Sequence, residues 1–288
     1  MKQSVFVFIT VIFAFLTFIG CVPKEKDSQT ESSVFQSEEK ESLNVIDLDQ
    51  LTIILHAGGE LDGMRLLNCQ EAFYVYYEMG YRIFEYDLKL SSDGKLIGTH
   101  SWEHLTGGYD GMSYAEFTSL RLEGNYTPVN EDWLIAMLQQ YPDVTVIVDA
   151  KMEDTLQDAE VIKRLHQLQT EYHTDLSARI IPEVFSIEMW DVLRTETAFD
   201  HYLFSRYKEY YAIDTIIENF PVEKFIGIAL PYDYLDGYYK RNISYLQEMG
   251  YRIFMFGINY TEDILGAVEI GADTVYIDNV SLLPISSE

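Results

Sequence analysis

The chain has 288 residues and a formal net charge of −27, because 20 lysines and arginines stand against 47 aspartates and glutamates. This length suits one large domain or two small ones. The acidic balance, without a basic stripe, excludes a nucleic-acid binder. An anionic substrate would need local positive charge, either from a metal ion or from the few basic side chains that face inward.

The first 21 residues have the pattern of a bacterial lipoprotein signal peptide. Lys2 precedes an apolar run from Val5 to Ile19, and Phe18-Ile-Gly-Cys21 closes it. A small residue directly before a cysteine resembles the lipobox, which implies cleavage before Cys21 and a lipid on its thiol. An ordinary signal peptide or a single anchor helix is the alternative. The lipoprotein interpretation places the protein on the extracytoplasmic face of a bacterial membrane.

Residues 22–50 are rich in Ser, Glu, Lys and Gln, which predicts a disordered tether. The first fifty residues carry four lysines against eight acids, so a charge of −23 remains on the rest. Residues 51–288 are therefore predicted to form the folded domain. Only Cys69 remains there as a thiol, so no disulfide framework is expected.

From Thr52 onward, strand-like and helix-like segments alternate. The predicted strands are Thr52–His56, Tyr81–Leu88, Val144–Lys151, Arg179–Phe185, His201–Ser205, Phe225–Leu230, Tyr251–Gly257 and Thr274–Asp278. The predicted helices are Asn68–Met79, Asn130–Tyr141, Asp154–Tyr172, Ile187–Thr197, Glu209–Phe220, Leu235–Met249 and Thr261–Ile270. Eight strands with helical crossovers predict an α/β fold, the (β/α)8 TIM barrel, with an open doubly wound sheet as the alternative.

The second predicted strand carries two carboxylates on one face. Side chains alternate along a strand, so Glu85 and Asp87 point the same way and would repel each other if left alone. A shared hard cation would make this arrangement favourable, because oxygen ligands suit Mg²⁺ or Ca²⁺. The alternative is a solvated face on an edge strand. Ser91-Ser-Asp-Gly94 then predicts a turn before a short return strand from Lys95 to Thr99.

Polar side chains end several of the predicted strands. They are His56, Glu85, Asp87, Asp149, Lys151 and Glu183. In a barrel the carboxyl ends of the strands meet at one mouth, where the chemistry takes place. A run such as Val146-Ile-Val-Asp-Ala-Lys has no packing reason to end in two charges. The occurrence of polar side chains at the same end of several strands predicts an active site.

With these motifs in place, the chain resembles the glycerophosphodiester phosphodiesterase family, within the superfamily of phosphatidylinositol-specific phospholipase C barrels. The resemblance covers about Thr52 to Leu283. It begins with His56-Ala-Gly-Gly and Asn68-Cys-Gln-Glu-Ala-Phe. The closest match is the Glu-x-Asp…Asp-Gly…His signature from Phe84 to His100, and Gly271-Ala-Asp-Thr-Val-Tyr-Ile-Asp is similar to the closing strand.

The resemblance implies a role for each matching residue. His56 and His100 match the two catalytic histidines, whereas Glu85, Asp87 and Asp149 match the ligands of one divalent cation, Mg²⁺ or Ca²⁺. Lys151 matches a basic residue near the substrate. Two further residues each have two interpretations. Glu183 is either a substrate contact or a structural partner of Lys151. Trp102 is either a wall of the substrate pocket or a packing residue.

The implied reaction is hydrolysis of a small phosphodiester. Two histidines can share the base and acid roles near neutral pH. The attacker in the family is a substrate hydroxyl next to the phosphate, which gives a cyclic intermediate that water opens. The chain departs from the family pattern at three positions: Ala57 stands for an arginine, Ser101 for an aspartate and Asp149 for a glutamate.

Three rival interpretations remain for the same residues. His100-Ser-Trp-Glu-His104 matches an inverted zinc-protease motif, which requires a helix that the nearby Gly107-Gly108 disfavours. Glu85, Asp87 and Glu183 could instead form the carboxylate pair of a glycoside hydrolase. A tethered barrel of this kind could also be weakly active or inactive and bind only a surface ligand.

Overall fold

The computed structural model describes residues 51–101 and 111–283. The predicted lipidation site Cys21 and the predicted pocket residue Trp102 lie outside these ranges, as does His104. Among the described residues, no helix combines the length and apolar character that a membrane crossing requires.

Nine strands form one sheet. They are β1 Thr52–Leu55, β2 Ile83–Leu90, β3 Leu96–Gly98, β4 Thr145–Ala150, β5 Ile180–Val184, β6 Tyr202–Ser205, β7 Phe225–Pro231, β8 Arg252–Ile258 and β9 Thr274–Ile277. Eight of them pair in parallel in the order β1-β9-β8-β7-β6-β5-β4-β2, and the β1–β2 pairing closes the circle. The predicted (β/α)8 barrel is therefore confirmed, and the open sheet is excluded.

Helices surround the barrel in the described ranges. They are α1 Gln70–Glu78, α2 Tyr114–Thr118, α3 Glu131–Gln140, α4 Thr155–Glu171, α5 Ile187–Glu196, α6 Ile213–Asn219, α7 Gly237–Glu248 and α8 Thr261–Glu269. Side-chain oxygens cap five of their N-termini, from Ser113, Asn130, Asp154, Ser186 and Asp236. Such caps satisfy backbone N–H groups that the first turn of a helix leaves without a partner.

The repeated Met-Gly-Tyr-Arg-Ile-Phe segment forms the same joint twice. Gly80 and Gly250 have φ values of 100° and 95°, a left-handed conformation that glycine adopts without a steric cost. Behind them, the amides of Tyr81 and Tyr251 bond carbonyls five residues earlier at 3.0 and 3.1 Å. This is the Schellman pattern, and it turns α1 into β2 and α7 into β8.

The barrel interior holds an apolar layer. It is built from Ile54, Ile147, Ile181, Leu203, Ala229, Phe254 and Tyr276, one residue from each of seven parallel strands. Gly227 makes room for it, since a Cβ there would lie 2.6 Å from the Phe254 ring and 2.3 Å from the Arg252 carbonyl. The larger core lies outside the barrel, between strands and helices.

The structure differs from the predicted elements in three places. Asn68 is not helical: its φ is 47°, and α1 begins at Gln70 because the Asn68 side chain bonds across to β2. α6 begins at Ile213 rather than Glu209. The short helix α2 was not predicted, although Ser113 and Glu116 form its capping box.

Candidate active site

A cavity of about 520 Å³ opens at the carboxyl ends of the parallel strands. Its lining combines acidic, basic and aromatic side chains: His56, Arg65, Leu66, Glu85, His100, Asp149, Lys151, Glu183, Ser205, Tyr207, Asp233, Tyr234, Phe256, Gly257, Ile258, Asn259, Tyr276 and Asp278. The structure thus brings the sequence-predicted His56, His100, Glu85, Asp149, Lys151 and Glu183 into one cavity. Asp87 is buried beside it, with ligand atoms near those of His56 and Glu85.

The alternation of β2 sends Glu85 and Asp87 into the barrel, while Phe84 and Tyr86 pack outward. Glu85 and Asp87 are 1% and 0% exposed. One oxygen of Glu85, Oε2, accepts the backbone N–H of Ala57 at 2.7 Å. Burial and the neighbouring Asp87 raise the pKa of Glu85 well above its usual value. Negative charges on both Glu85 and Asp87 therefore repel each other here, and a bound cation would relieve this repulsion.

Asn68 holds Asp87 in place with two hydrogen bonds. Its Nδ2 donates to Asp87 Oδ2 at 2.8 Å, and its Oδ1 accepts the Asp87 backbone N–H at 2.9 Å. Burial alone would raise the pKa of Asp87, but Lys151 and the two nearby histidines, His56 and His100, hold it below its usual value. Asp87 is thus fixed both in orientation and as a carboxylate.

Asp149 and Lys151 end β4 on the same face, as their i, i+2 spacing predicts. Lys151 Nζ bonds Asp149 Oδ2 and lies 3.3 Å from Asp87 Oδ1. Its ammonium also sits 4.8 Å from the centre of the Tyr207 ring. Burial opposes its charge, but these carboxylates outweigh burial and raise the pKa of Lys151 well above its usual value. Lys151 is consequently a permanent cation between two acids.

His56 lies just beyond β1, and Asp278 and Arg65 order it. His56 Nδ1 bonds Asp278 Oδ1 at 2.7 Å, and Arg65 Nε donates to Asp278 Oδ2 at 2.6 Å. This leaves His56 Nε2 facing Glu85 Oε2, at 3.8 Å. Burial lowers the pKa of His56, but the bond to Asp278 and the charges of Glu85 and Asp87 raise it to about 9.

His100 reaches the cavity from the short hairpin after β2. β3 pairs with the end of β2 in antiparallel fashion, and the Thr99 N–H donates to the Asp87 carbonyl at 3.0 Å. Burial lowers the pKa of His100, and Asp87 only partly offsets this. The hairpin that the sequence predicted therefore delivers a second imidazole to the same cavity as His56.

Glu183 stands on β5, held by a neighbour. Tyr276 donates its hydroxyl to Glu183 Oε1 at 2.8 Å. Burial and the charge of Asp149 raise the pKa of Glu183 to about 7, although bonds from Tyr276 and Ser205 oppose this. Glu183 lines the cavity close to Asp149 rather than forming an ion pair with Lys151, so of its two predicted roles the position suits a substrate contact.

Three residues of the site had no predicted role: Asn68, Arg65 and Asp278. Asn68 and Asp278 stand within motifs that the sequence analysis quoted, but their contacts span 19 and 222 residues of chain. The signal for Asp278 was its position directly after a barrel strand, the same rule that identified Asp149. Arg65 lies in an irregular loop, where sequence carries no comparable positional signal.

The acidic residues fit a hard divalent cation. Each of three buried carboxylates has one oxygen with no hydrogen bond among the described residues: Glu85 Oε1, Asp87 Oδ1 and Asp149 Oδ1. Ligand atoms of His56, Glu85 and Asp87 all lie within 4.8 Å of one another. Buried polar atoms seldom stay without partners, and carboxylate oxygens are the ligands that Mg²⁺ and Ca²⁺ prefer.

Comparisons with known proteins agree with this geometry. The sequence matches the model of the Glycerophosphoryl diester phosphodiesterase family over residues 63–282. A search of curated protein sequences found no match.

Solved structures with the same fold include three phosphodiesterases. A glycerophosphodiester phosphodiesterase from Thermotoga maritima has 21% identity and a TM-score of 0.62, covering 81% of this chain and 96% of its own. A glycerophosphoryl diester phosphodiesterase from Parabacteroides distasonis has 18% identity and a TM-score of 0.63, covering 83% and 89%. An Oleispira antarctica phosphodiesterase, in complex with the product sn-glycerol-3-phosphate, has 18% identity and a TM-score of 0.61, covering 79% and 92%.

The solved structures share the barrel with this chain, and the family match spans most of it, from the loop after β1 to the last described turn. The chain therefore belongs to the Glycerophosphoryl diester phosphodiesterase family, and its enzyme class is that of the phosphoric diester hydrolases.

Proposed function

We propose that this protein hydrolyses a small glycerophosphodiester with the help of one divalent cation, Mg²⁺ or Ca²⁺. One observation carries the proposal. The buried carboxylates of Glu85, Asp87 and Asp149 each have an oxygen without a hydrogen bond among the described residues. Glu85 and Asp149 line the cavity that holds both histidines, and Asp87 is buried beside it. The family match supports the same substrate class.

Glu85, Asp87 and Asp149 would hold the cation, which would supply positive charge to the phosphoryl oxygens as negative charge develops there. Asn68 and the Ala57 N–H keep two of these carboxylates in place. Hydrogen bonds of this kind, made to a metal's ligands rather than to the metal, orient those ligands.

The two histidines would transfer the protons. With Nδ1 tied to Asp278, His56 presents Nε2 to the cavity, so this nitrogen accepts or gives the proton. His100 lines the same cavity. One imidazole takes the proton of the attacking hydroxyl, while the other protonates the departing alkoxide, and water then opens the cyclic product by the reverse roles.

Lys151 and Glu183 would contact the substrate, together with Trp102, which lies outside the described residues. Lys151 provides a fixed positive charge beside Asp149 and Asp87. Glu183 could accept a hydrogen bond from a hydroxyl of the alcohol, since Tyr276 and Ser205 leave it facing the cavity.

We further propose that lipid on Cys21 anchors the protein to the extracytoplasmic face of a bacterial membrane. The support is the Phe18-Ile-Gly-Cys21 sequence after an apolar run. The polar residues 22–50 would then act as the tether between membrane and barrel.

The test is hydrolysis of a panel of phosphodiesters by residues 51–288, with Mg²⁺, with Ca²⁺ and with a chelator. Removal of a proton-transfer group costs about 10²–10⁴-fold in rate, so His56→Ala and His100→Ala should each lose that much. The matched control is His201→Ala, because His201 is exposed at the amino end of β6.

Unchanged turnover in His100→Ala would contradict the catalytic assignment. Hydrolysis that persists in full after chelation would contradict the metal assignment. Cleavage of glycosides but of no phosphodiester would replace the proposal with the glycoside hydrolase alternative.

A further inference from the structure

Acidic side chains dominate the cavity walls. Five of the lining residues are carboxylic acids: Glu85, Asp149, Glu183, Asp233 and Asp278. Among the described lining residues, only Lys151 and Arg65 have side chains with permanent positive charge. Lys151 is already bound by Asp149 and near Asp87. Outside any metal, an anionic ligand that enters the described part of this cavity meets two further positive groups, the Arg65 guanidinium and the His56 imidazole when it is protonated.

Arg65 is held at the mouth by fixed partners. Its Nε donates to Asp278 Oδ2 at 2.6 Å, and its Nη2 also donates to Asp278 Oδ2. Nη2 donates a second hydrogen bond to Asn259 Oδ1 at 3.0 Å. The side chain remains 46% exposed, which is far more than the 7% of Asp278. Nη1 makes no hydrogen bond within the described residues. The guanidinium is thus oriented on one edge and open on another.

Asp278 binds both Arg65 and the first histidine, and all three line the cavity. One carboxylate oxygen, Oδ1, bonds His56 Nδ1, and the other, Oδ2, bonds Arg65. The imidazole and the guanidinium are therefore neighbours on a single buried carboxylate. His56 and Arg65 therefore line one cavity with a shared acidic partner.

The residue that follows His56 brings no charged side chain to this edge of the cavity. The following residue, Ala57, is fully buried, and its backbone N–H is committed to Glu85. Its methyl side chain offers no charge. The basic group at this edge of the cavity comes instead from the loop between β1 and α1, eight residues further along the chain.

We propose that Arg65 binds the phosphoryl oxygens of the substrate. This inference rests on the proposed function, because it names the group that holds the phosphodiester anion. Guanidinium suits the task, since its planar array of donors matches two oxygens of a phosphate and the charge assists both bonds. Arg65 acts by direct contact, and Asp278 positions it and His56 together.

The rival interpretation is that Arg65 is only a clamp that fastens its loop to Asp278. The two roles predict different measurements. A clamp would change the thermal midpoint, whereas a phosphate contact changes the affinity for phosphate-bearing ligands and the KM of the reaction.

The experiment compares Arg65→Gln and Arg65→Lys with Arg82→Gln in residues 51–288. Arg82 is a matched control, because it is 38% exposed, pairs with Asp143 and precedes β2 at the opposite end of the barrel. Calorimetry measures the binding of inorganic phosphate and of sn-glycerol 3-phosphate with Mg²⁺ present. Steady-state kinetics on a phosphodiester gives KM and kcat separately.

Arg65→Gln should weaken phosphate binding and raise KM by about 10- to 100-fold, because a charge-assisted pair of hydrogen bonds is lost. The value of kcat should change by less than about 3-fold. Arg65→Lys should fall between Arg65→Gln and wild type, and Arg82→Gln should match wild type. Free guanidinium added to Arg65→Gly should restore part of the affinity.

Equal KM and phosphate affinity in Arg65→Gln and wild type would overturn the inference, as would a wild-type protein that does not bind phosphate. A fall in kcat at constant KM would assign Arg65 to positioning of His56 and also overturn it. If the wild type hydrolyses no phosphodiester, the proposed function fails, and phosphate binding by the same variants still decides the role of Arg65.

Discussion

Asn68 offers a test of the proposed metal site, because it contacts the predicted ligand Asp87 and is not a predicted ligand itself. The residue is fully buried in a left-handed conformation, and both ends of its amide bond Asp87. Asn68→Gly removes the amide but keeps the backbone conformation, because glycine accepts a positive φ. Asn68→Ala removes the amide and adds backbone strain, since alanine occupies this region less readily than asparagine.

The magnitude follows from the two bonds. The bond to the Asp87 carboxylate is charge-assisted and contributes about 1.5–3 kcal/mol, and the bond from the Asp87 N–H contributes about 0.5–1.5 kcal/mol. We expect Asn68→Gly to lower the free energy of unfolding by about 2–4 kcal/mol. A freed Asp87 also weakens the site itself, so the Kd for Mg²⁺ should rise about 10- to 100-fold.

Urea denaturation and calorimetric Mg²⁺ titration measure the two effects separately. Asn130→Ala is the control, because Asn130 caps α3 through Trp133 N–H and its loss should cost about 1 kcal/mol with no change in Mg²⁺ affinity. The reasoning is wrong if Asn68→Gly binds Mg²⁺ with wild-type affinity, or if its stability falls no further than that of Asn130→Ala.

Three further predictions concern other parts of the chain. Asp278→Asn should lower kcat by about 10²–10⁴-fold with folding intact, because an amide no longer fixes the imidazole of His56. Steady-state kinetics at several pH values measures this change in kcat. Burial raises the pKa of Asp158 from 3.8 to about 6 despite its bond to Lys208. The folded state therefore holds that proton more tightly than the unfolded state, and wild-type stability relative to Asp158→Asn should fall by about 1 kcal/mol as the pH rises from 5 to 7. Urea denaturation at both pH values would show no such difference if the reasoning is wrong. Cys21→Ser should abolish lipid labelling and release the protein from membranes, whereas equal membrane retention of wild type and variant would contradict the anchor.

The strands could be predicted well because each is a short apolar run between turn signals. Once eight such strands alternate with helices, few topologies other than the barrel are available. The predicted and observed ends differ by at most two residues, as at Tyr81–Leu88 and β2 Ile83–Leu90. The positions of Glu85 and Asp149 followed from alternation alone. Charges on an interior face have no packing explanation, so their chemistry was visible in the sequence.

The rest of the site depended on contacts that local sequence does not carry. Asn68 was predicted to be helical because apolar periodicity begins beside it, yet its tie to Asp87 outweighs the preference for a longer α1. Arg65 gave no periodic signal at all. The link from His56 to Asp278 joins the two ends of the barrel sequence and exists only because β1 pairs with β9.

The apolar layer, which includes Ile54, Ile147, Ile181, Leu203, Ala229, Phe254 and Tyr276, fills the barrel interior below the carboxylates. Among the described residues, the cavity therefore opens at the carboxyl ends of the strands. Under the proposed function, the substrate and both products would pass through that same opening. A phosphate monoester added from outside would then occupy the place of the substrate's phosphoryl group, and we expect it to inhibit hydrolysis competitively.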